Sequence, residues 1–266
     1  LVSAFEKTTE KESKSETLDT DVLVVGLGGS GTYTALQAAE QGLNVLAIEK
    51  QGRYGGTTAL TSEIESINPP RIKEKYNDGK DYTDAEAMKT AWKEYVENDE
   101  KEEMLDLFFE QSEPALDWLA LDHNIEFDYK AQAGFTPSDW YEVKFQWYPN
   151  KKEGDPRVFG ANKAEIAADF DSLINDYTKA GGKYMLETTA YELIMGDDGS
   201  VKGVKAKNNI DGTEYTINAK KVVLACGGFA GSGEMEDKYL SDEYYNLSGG
   251  GRYNLFGMAQ NDGKMM

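Results

Sequence analysis

Three glycines and one acid are the residues of this chain whose spacing could do chemistry. Gly26, Gly28 and Gly31 stand in Val25-Gly26-Leu27-Gly28-Gly29-Ser30-Gly31, and Glu49-Lys50 follows about 20 residues on. The chemistry is the holding of a dinucleotide. Gly26 permits a tight turn, Gly28 carries no side chain to keep a pyrophosphate from the backbone, and Gly31 lets a helix pack close to a sheet. A helix that starts at such a turn points N–H groups and the positive end of its dipole at the phosphates, with Gly29 and Ser30 placed to present them. The Glu49 carboxylate suits a ribose diol. No Arg stands directly beside it, which argues against a 2′-phosphate, so NAD or FAD is expected rather than NADP. An ordinary βαβ crossover with a flexible turn is the structural alternative.

The elements that must position these residues are legible around them. Asp21–Val25 reads as a buried strand, a helix runs to Gln41, and Leu43–Ile48 reads as a second strand. A glycine and hydroxyl segment follows, Gly55-Gly56-Thr57-Thr58-Ala59-Leu60-Thr61-Ser62, and Asn68-Pro69-Pro70 is expected to form a turn or an extended stop. After Asp84, apolar residues recur at helical spacing. A second such pattern runs from about Glu103 towards His123, where Pro114 is expected to divide two helices. Residues 131–160 are aromatic and irregular, read as a long loop packed by its own rings ahead of a substrate wall. Lys163–Ala180 is an amphipathic helix stopped by Gly181-Gly182. Strands are expected at Lys183–Glu187, at Ala190–Met195 paired with Val201–Lys207 as a hairpin, and at Thr213–Ile217. A separate buried strand from Val222 runs into a second glycine turn, Gly227-Gly228.

Composition narrows the function classes. Lys plus Arg total 28 against 48 for Asp plus Glu, a formal charge of −20 over 266 residues. Such a surface repels phosphate backbones, so nucleic acid is not an expected partner. No apolar run approaches the length of a membrane span. One cysteine, Cys226, and one histidine, His123, exclude an intrachain disulfide, a zinc or iron–sulfur site and a histidine-rich metal centre. Residues 1–20 are polar and read as a flexible lead-in, with the folded domain over 21–266. The opening Leu1 fits an exported protein whose leader was removed, the reading preferred, as well as a trimmed cytoplasmic one.

Four motifs together resemble the FAD-dependent fumarate reductase and succinate dehydrogenase flavoprotein family, which includes soluble fumarate and urocanate reductases and 3-oxosteroid dehydrogenases. They are the Gly26–Gly31 turn with Glu49-Lys50; Gly55-Gly56-Thr57-Thr58, similar to the family's Gly-Gly-Asn/Thr-Ser/Thr; Val222–Phe229, similar to its strand ending in Thr-Gly-Gly-Phe; and Asn261-Asp262-Gly263, similar to its Thr-Gly-Asp-Gly. The resemblance spans Asp21 to Met266. It implies an α/β fold, a Rossmann-like, glutathione-reductase-like FAD-binding domain with helical and antiparallel β insertions, here lacking the C-terminal capping region. It implies non-covalent FAD. Gly28, Gly29 and Ser30 would then meet the pyrophosphate and Glu49 the adenosine ribose; Gly55 and Gly56 would let backbone approach the flavin side, the Thr57 and Thr58 hydroxyls would donate to phosphate or ribityl oxygens, and Lys50, Thr61 and Ser62 would also contact the cofactor. Ala190 would meet the adenine, Ala225 and Gly227 would line the cleft, and Asp262 would contact the cofactor.

Three departures and one absence qualify the resemblance. Ser62-Glu63-Ile64 stands where the family often has glycines beside the flavin, Cys226 replaces its threonine, and no attachment motif for covalent flavin is present. A small space-filling role is expected for Cys226 rather than a redox role. Members usually continue well beyond the last motif. The resemblance implies that this remainder, or a second chain, supplies a cap, a proton-donating arginine and substrate-binding residues, so no catalytic residue is assigned here. The expected activity is flavin-dependent reduction of a C=C bond conjugated to a carboxylate or carbonyl, by hydride transfer from flavin N5. Electrons would come from an external FMN, haem or reductase module. The alternatives are an NAD(P)H-using flavoenzyme, and a non-catalytic cofactor-binding subunit or fragment that needs a partner chain.

Overall fold

A computed structural model describes residues 14–60, 64–96, 102–127, 146–147, 163–239 and 261–264. The chain divides into two compact units, one formed by 1–57 with 174–266 and the other by 58–173.

The first unit is built on a six-stranded sheet in the order β5-β2-β1-β8-β7-β6. Its strands are β1 (Ser15–Val25), β2 (Val45–Ile48), β5 (Lys183–Met185), β6 (Thr188–Met195), β7 (Val201–Asn208) and β8 (Glu214–Leu224). β5, β2, β1 and β8 run parallel, and β8, β7 and β6 form an antiparallel meander. Helix α1 (Gly29–Glu40) joins β1 to β2. Leu23, Val24, Ala35, Leu36, Val45, Ala47 and Ile48 are fully buried, which explains the unbroken apolar runs of both parallel strands.

Two strand boundaries differ from the sequence expectation. β1 begins at Ser15, so residues 15–20 of the expected lead-in belong to the sheet, paired with Glu214–Ala219. β8 is one strand where two were expected, because two polar residues of the stretch that suggested a break, Asn218 and Lys220, find polar partners on β1. The Asn218 side-chain N–H donates to Asp19 at 3.0 Å, and Lys220 pairs with Asp21 at 2.6 Å. Cross-strand pairing of this kind supports a polar segment that hydrophobic alternation cannot recognise.

Helix α5 (Lys163–Lys179) ends as expected at Gly181-Gly182. The Gly182 N–H donates to Tyr177 O, and a Cβ on Gly182 would lie 1.9 Å from the Tyr177 ring. The fully buried Tyr177 hydroxyl lies 3.0 Å from Val45 O and 2.7 Å from Lys183 O, fastening the end of α5 to β2 and β5. Burial pushes the Tyr177 hydroxyl well above the usual phenol range.

The second unit is mainly helical, with α2 (Pro70–Tyr76), α3 (Ala85–Val96) and α4 (Glu102–Asp117) followed by a π-helical turn, Trp118–Asp122. A two-residue ladder pairs β3 (Ile64–Glu65) with β4 (Gln146–Trp147). Its core gathers Ile67, Met88 and Phe109, with Trp92 stacked on Phe108 at 5.5 Å. Pro69-Pro70 starts a helix rather than ending an element, because Pro at the first helical position forfeits only an N–H that has no intrahelical partner. The next two N–H groups, of Arg71 and Ile72, donate to the buried Asp117 carboxylate at 2.7 and 2.9 Å. Pro114 lies inside a continuous α4 instead of dividing it. The lost backbone bond is outweighed where the following turn buries Leu116 and sets Asp117 against α2. His123 is buried with its ring 4.5 Å from that of Trp118, a packing position. Of the aromatic segment 131–160, only residues 146–147 are described.

Candidate cofactor site

The site is built from the carboxyl ends of β1, β2 and β8, all in the first unit. In a parallel sheet that is where connections diverge to opposite sides and leave a crevice. β1 leads to α1 and then to β2 on one side, while β8 lies on the other.

The Gly26–Gly31 turn owes its shape to its neighbours. Gly26 has φ +102°, its N–H donates to Ile48 O at 2.8 Å, and a Cβ there would lie 2.4 Å from Ala225 O. A Cβ on Gly31 would lie 1.8 Å from Gly26 O. Both glycines are therefore required by the fold itself. Gly28 differs: its φ is −74° and a Cβ would meet only Gly56 Cα at 3.9 Å. Any demand for glycine at position 28 must come from what lies against it. α1 begins with Gly28 as its N-cap, has no side-chain cap bond, and carries no acid in its first turn. The exposed Ser30 lies in that turn.

The second glycine pair closes over the first. Gly55 and Gly28 form a parallel bridge, with the Gly55 N–H donating to Leu27 O at 2.7 Å. Gly55 has φ +102° and Gly56 +51°, and a Cβ on Gly56 would lie 3.0 Å from Gly28 Cα. Thr57 and Thr58 follow in the 3-10 turn Gly56–Leu60.

Glu49 is 9% exposed, and its two carboxylate oxygens are both engaged. Oε2 accepts the Leu27 N–H at 2.8 Å and Oε1 the Gln51 N–H at 2.9 Å. Each oxygen keeps a second lone pair. The acid thus fastens the first glycine turn to the end of β2, a role that the motif does not reveal.

The third turn follows β8. The Ala225 N–H donates to Val25 O at 2.8 Å, and Gly227 has φ +76°. The Cys226 thiol donates to Val25 O at 3.4 Å, and burial pushes its pKa up, the setting of an inert space-filler. The segment 261–264 lies against this turn: Asn261 O accepts the Gly231 N–H at 2.8 Å, and Asn261 Nδ2 donates to Thr57 Oγ1 at 3.1 Å. Asp262 pairs with Lys50 at 3.3 Å. Burial pushes the Asp262 carboxyl up, but the Lys264 N–H and the Lys50 charge outweigh it and hold the group below its ordinary value.

The structure therefore brings together Gly26, Gly28, Gly31, Glu49, Lys50, Gly55, Gly56, Thr57, Ala225, Gly227 and Asp262, with Gly29 and Ser30 at the helix start. Ala190 packs in the sheet core with Leu23 and Ile48, two positions after Thr188, whose N–H donates to Glu49 O. Thr61 and Ser62 lie outside the described residues, as does Glu63. Asn261, named in the fourth motif, is the residue to which the sequence assigned no role at the site. Its signal was an amide where the similar Thr-Gly-Asp-Gly pattern has glycine. Among the described residues, no cluster of His, Cys, Asp and Glu could hold a metal ion.

A family model described as an FAD binding domain matches residues 21–264. The urocanate reductase of Eggerthella lenta is 30% identical over 237 residues, 88% of this chain and 36% of that protein. The NADH:fumarate oxidoreductase of Klebsiella pneumoniae is 28% identical over 224 residues, 84% of this chain and 22% of that protein. The chain thus spans about a third or less of the length of these relatives. Among solved structures, the 3-ketosteroid-delta4-(5alpha)-dehydrogenase of Rhodococcus jostii RHA1 shares the fold with a TM-score of 0.71 at 23% identity, over 97% of this chain and 54% of that one.

Proposed function

The chain belongs to the FAD binding domain family, and on that premise we propose that it forms the FAD-holding part of an oxidoreductase that reduces a C=C bond conjugated to a carboxylate or carbonyl. One observation carries the reading. Gly28 and Gly56 approach back to back over an uncapped helix start, so that a Cβ on Gly56 would lie 3.0 Å from Gly28 Cα. Backbone bared in this way beside a helix dipole suits a diphosphate.

In this reading Gly26 and Gly31 shape the turn, and Gly28, Gly29 and Ser30 offer N–H groups to the pyrophosphate. Glu49 accepts from a ribose diol through its remaining lone pairs while continuing to hold the turn. Gly55 and Gly56 give backbone approach to the flavin side, the Thr57 and Thr58 hydroxyls donate to phosphate or ribityl oxygens, and Thr61 and Ser62 add further contacts to the cofactor. The backbone at Ala190 meets the adenine, Ala225 and Gly227 line the cleft, and Lys50 with Asp262 closes it. When bound, FAD supplies hydride transfer at N5. This chain's residues hold and orient it.

The groups that polarise the substrate and deliver its proton belong, in this proposal, to polypeptide outside these residues, as a continuation or as a second chain. The short coverage of both relatives supports that division. Fumarate-like and urocanate-like acids are the substrate class that the relatives' names suggest. Electrons come from a separate carrier. The second reading is direct use of NADH, suggested by the name of the Klebsiella relative.

The test is anaerobic turnover with a reduced viologen dye or NADH as donor and fumarate or urocanate as acceptor. The chain alone is expected to bind one FAD with little turnover, and the larger assembly to oxidise the dye. FAD-loaded assembly that no conjugated alkene reoxidises contradicts the proposal.

A further inference from the structure

We infer that Asn261 is a cofactor-positioning residue, which fixes the Thr57 hydroxyl so that its single proton points out of the protein framework and towards an FAD oxygen. The inference rests on the proposal that this site holds FAD.

A threonine hydroxyl has one proton and two lone pairs, and it rotates to suit its partners. Asn261 Nδ2 donates to Thr57 Oγ1 at 3.1 Å across 204 positions of sequence. That donation fills one lone pair of Oγ1 and leaves the Thr57 proton to be given elsewhere. The backbone carbonyl of Asn261 accepts the Gly231 N–H at 2.8 Å, and its side-chain Oδ1 occupies space that Gly227 leaves open, 3.2 Å from where a Cβ there would stand. Gly263, at φ +66°, sits where a Cβ would fall 2.8 Å from Phe229 Cβ, so the turn that carries Asn261 is packed against the third glycine turn. The next residue, Asp262, is held by Lys50 at the end of β2. Asn261 therefore joins Thr57 to the third glycine turn, through its side-chain amide on one and its backbone carbonyl on the other, and the amide gives the Thr57 hydroxyl a direction. A glycine at position 261 would do neither.

The experiment is FAD titration of the purified protein, followed by flavin fluorescence, with a double-mutant cycle on Asn261 and Thr57. Circular dichroism and apo-protein melts check each variant's fold. Asn261→Ala is expected to weaken FAD binding about 3- to 10-fold, the scale of one neutral hydrogen bond. Asn261→Asp is expected to weaken it about 100-fold, because a carboxylate takes the Thr57 proton and adds a negative charge beside the diphosphate. Thr57→Val is expected to lose about tenfold and Thr57→Ser to recover most of that. Adding Asn261→Ala to Thr57→Val is expected to change little further. Asn261→Asp no worse than Asn261→Ala, or additive losses in the cycle, overturns the inference while the FAD reading stands. If Asn261→Asp does not fold, equal losses in Thr57→Ser and Thr57→Val overturn it. A folded parent protein that binds no FAD removes the site reading, and this inference with it.

Discussion

The Oε2 atom of Glu49 accepts the Leu27 N–H at 2.8 Å, joining the tip of β2 to the middle of the first glycine turn. With Oε1 on the Gln51 N–H, the carboxylate holds two backbone segments before any ligand is considered. Glu49→Gln leaves one buried N–H facing an amide N–H. The apo protein is expected to lose about 1–3 kcal/mol of stability in urea unfolding. A carboxylate that served the ribose alone would leave the apo stability unchanged.

Two glycines of the turn, Gly31 and Gly28, separate fold from ligand. Gly31→Ala drives a Cβ to within 1.8 Å of Gly26 O, a backbone atom that cannot rotate away. A loss of about 3 kcal/mol or more is expected, read as poor soluble yield and a lowered melting temperature. Gly28→Ala meets nothing closer than 3.9 Å. Its apo melting temperature is expected to stay within about 3 °C of the parent, while FAD affinity falls about tenfold, or about 1.4 kcal/mol. Equal damage by both substitutions would contradict this division.

The first βαβ unit was readable because its strands are buried on both faces and its glycines have mechanical roles at fixed offsets. The meander's hairpin and the long helix ending at Gly181-Gly182 were readable for similar local reasons. The continuity of β8 was not, since Asn218 and Lys220 find their partners Asp19 and Asp21 far away in sequence. Nor was Pro114 inside α4, or Pro70 at the start of α2, because Asp117 supplies the capping oxygens from 45 positions away. In the site, the glycines were legible, whereas the Asn261–Thr57 bond depends on the third dimension.

Cys226 should behave as an unreactive thiol. Burial pushes its pKa up, so the thiolate is scarce at neutral pH. Modification by a disulfide reagent is expected to be slow at pH 7.5 in the native protein, to rise only at a pH above the ordinary thiol range, and to be fast in denaturant. Rapid labelling of the native protein at neutral pH would instead mark a reactive site.

The Lys50–Asp262 pair sets a pH dependence with a definite sign. The folded state holds the Asp262 carboxyl below its ordinary value, so the pair's contribution is present above the unfolded pKa and lost as pH falls through the folded one. The melting temperature of Asp262→Asn is expected to lie below the parent's by a constant margin from pH 5 to 8. The two should converge as the pH drops below about 4. A margin that does not narrow at all as the pH falls through and below the ordinary carboxylate range would assign the effect to packing.

Hydrogen exchange with and without FAD tests the central claim most directly. The account expects FAD to slow exchange together in peptides covering Leu27–Ser30, Gly55–Thr57, Ala225–Gly227 and Asn261–Gly263, with little change in β6 and β7 beyond Ala190. Saturable FAD binding that leaves these four turns unprotected, or no binding by the folded protein, would contradict it.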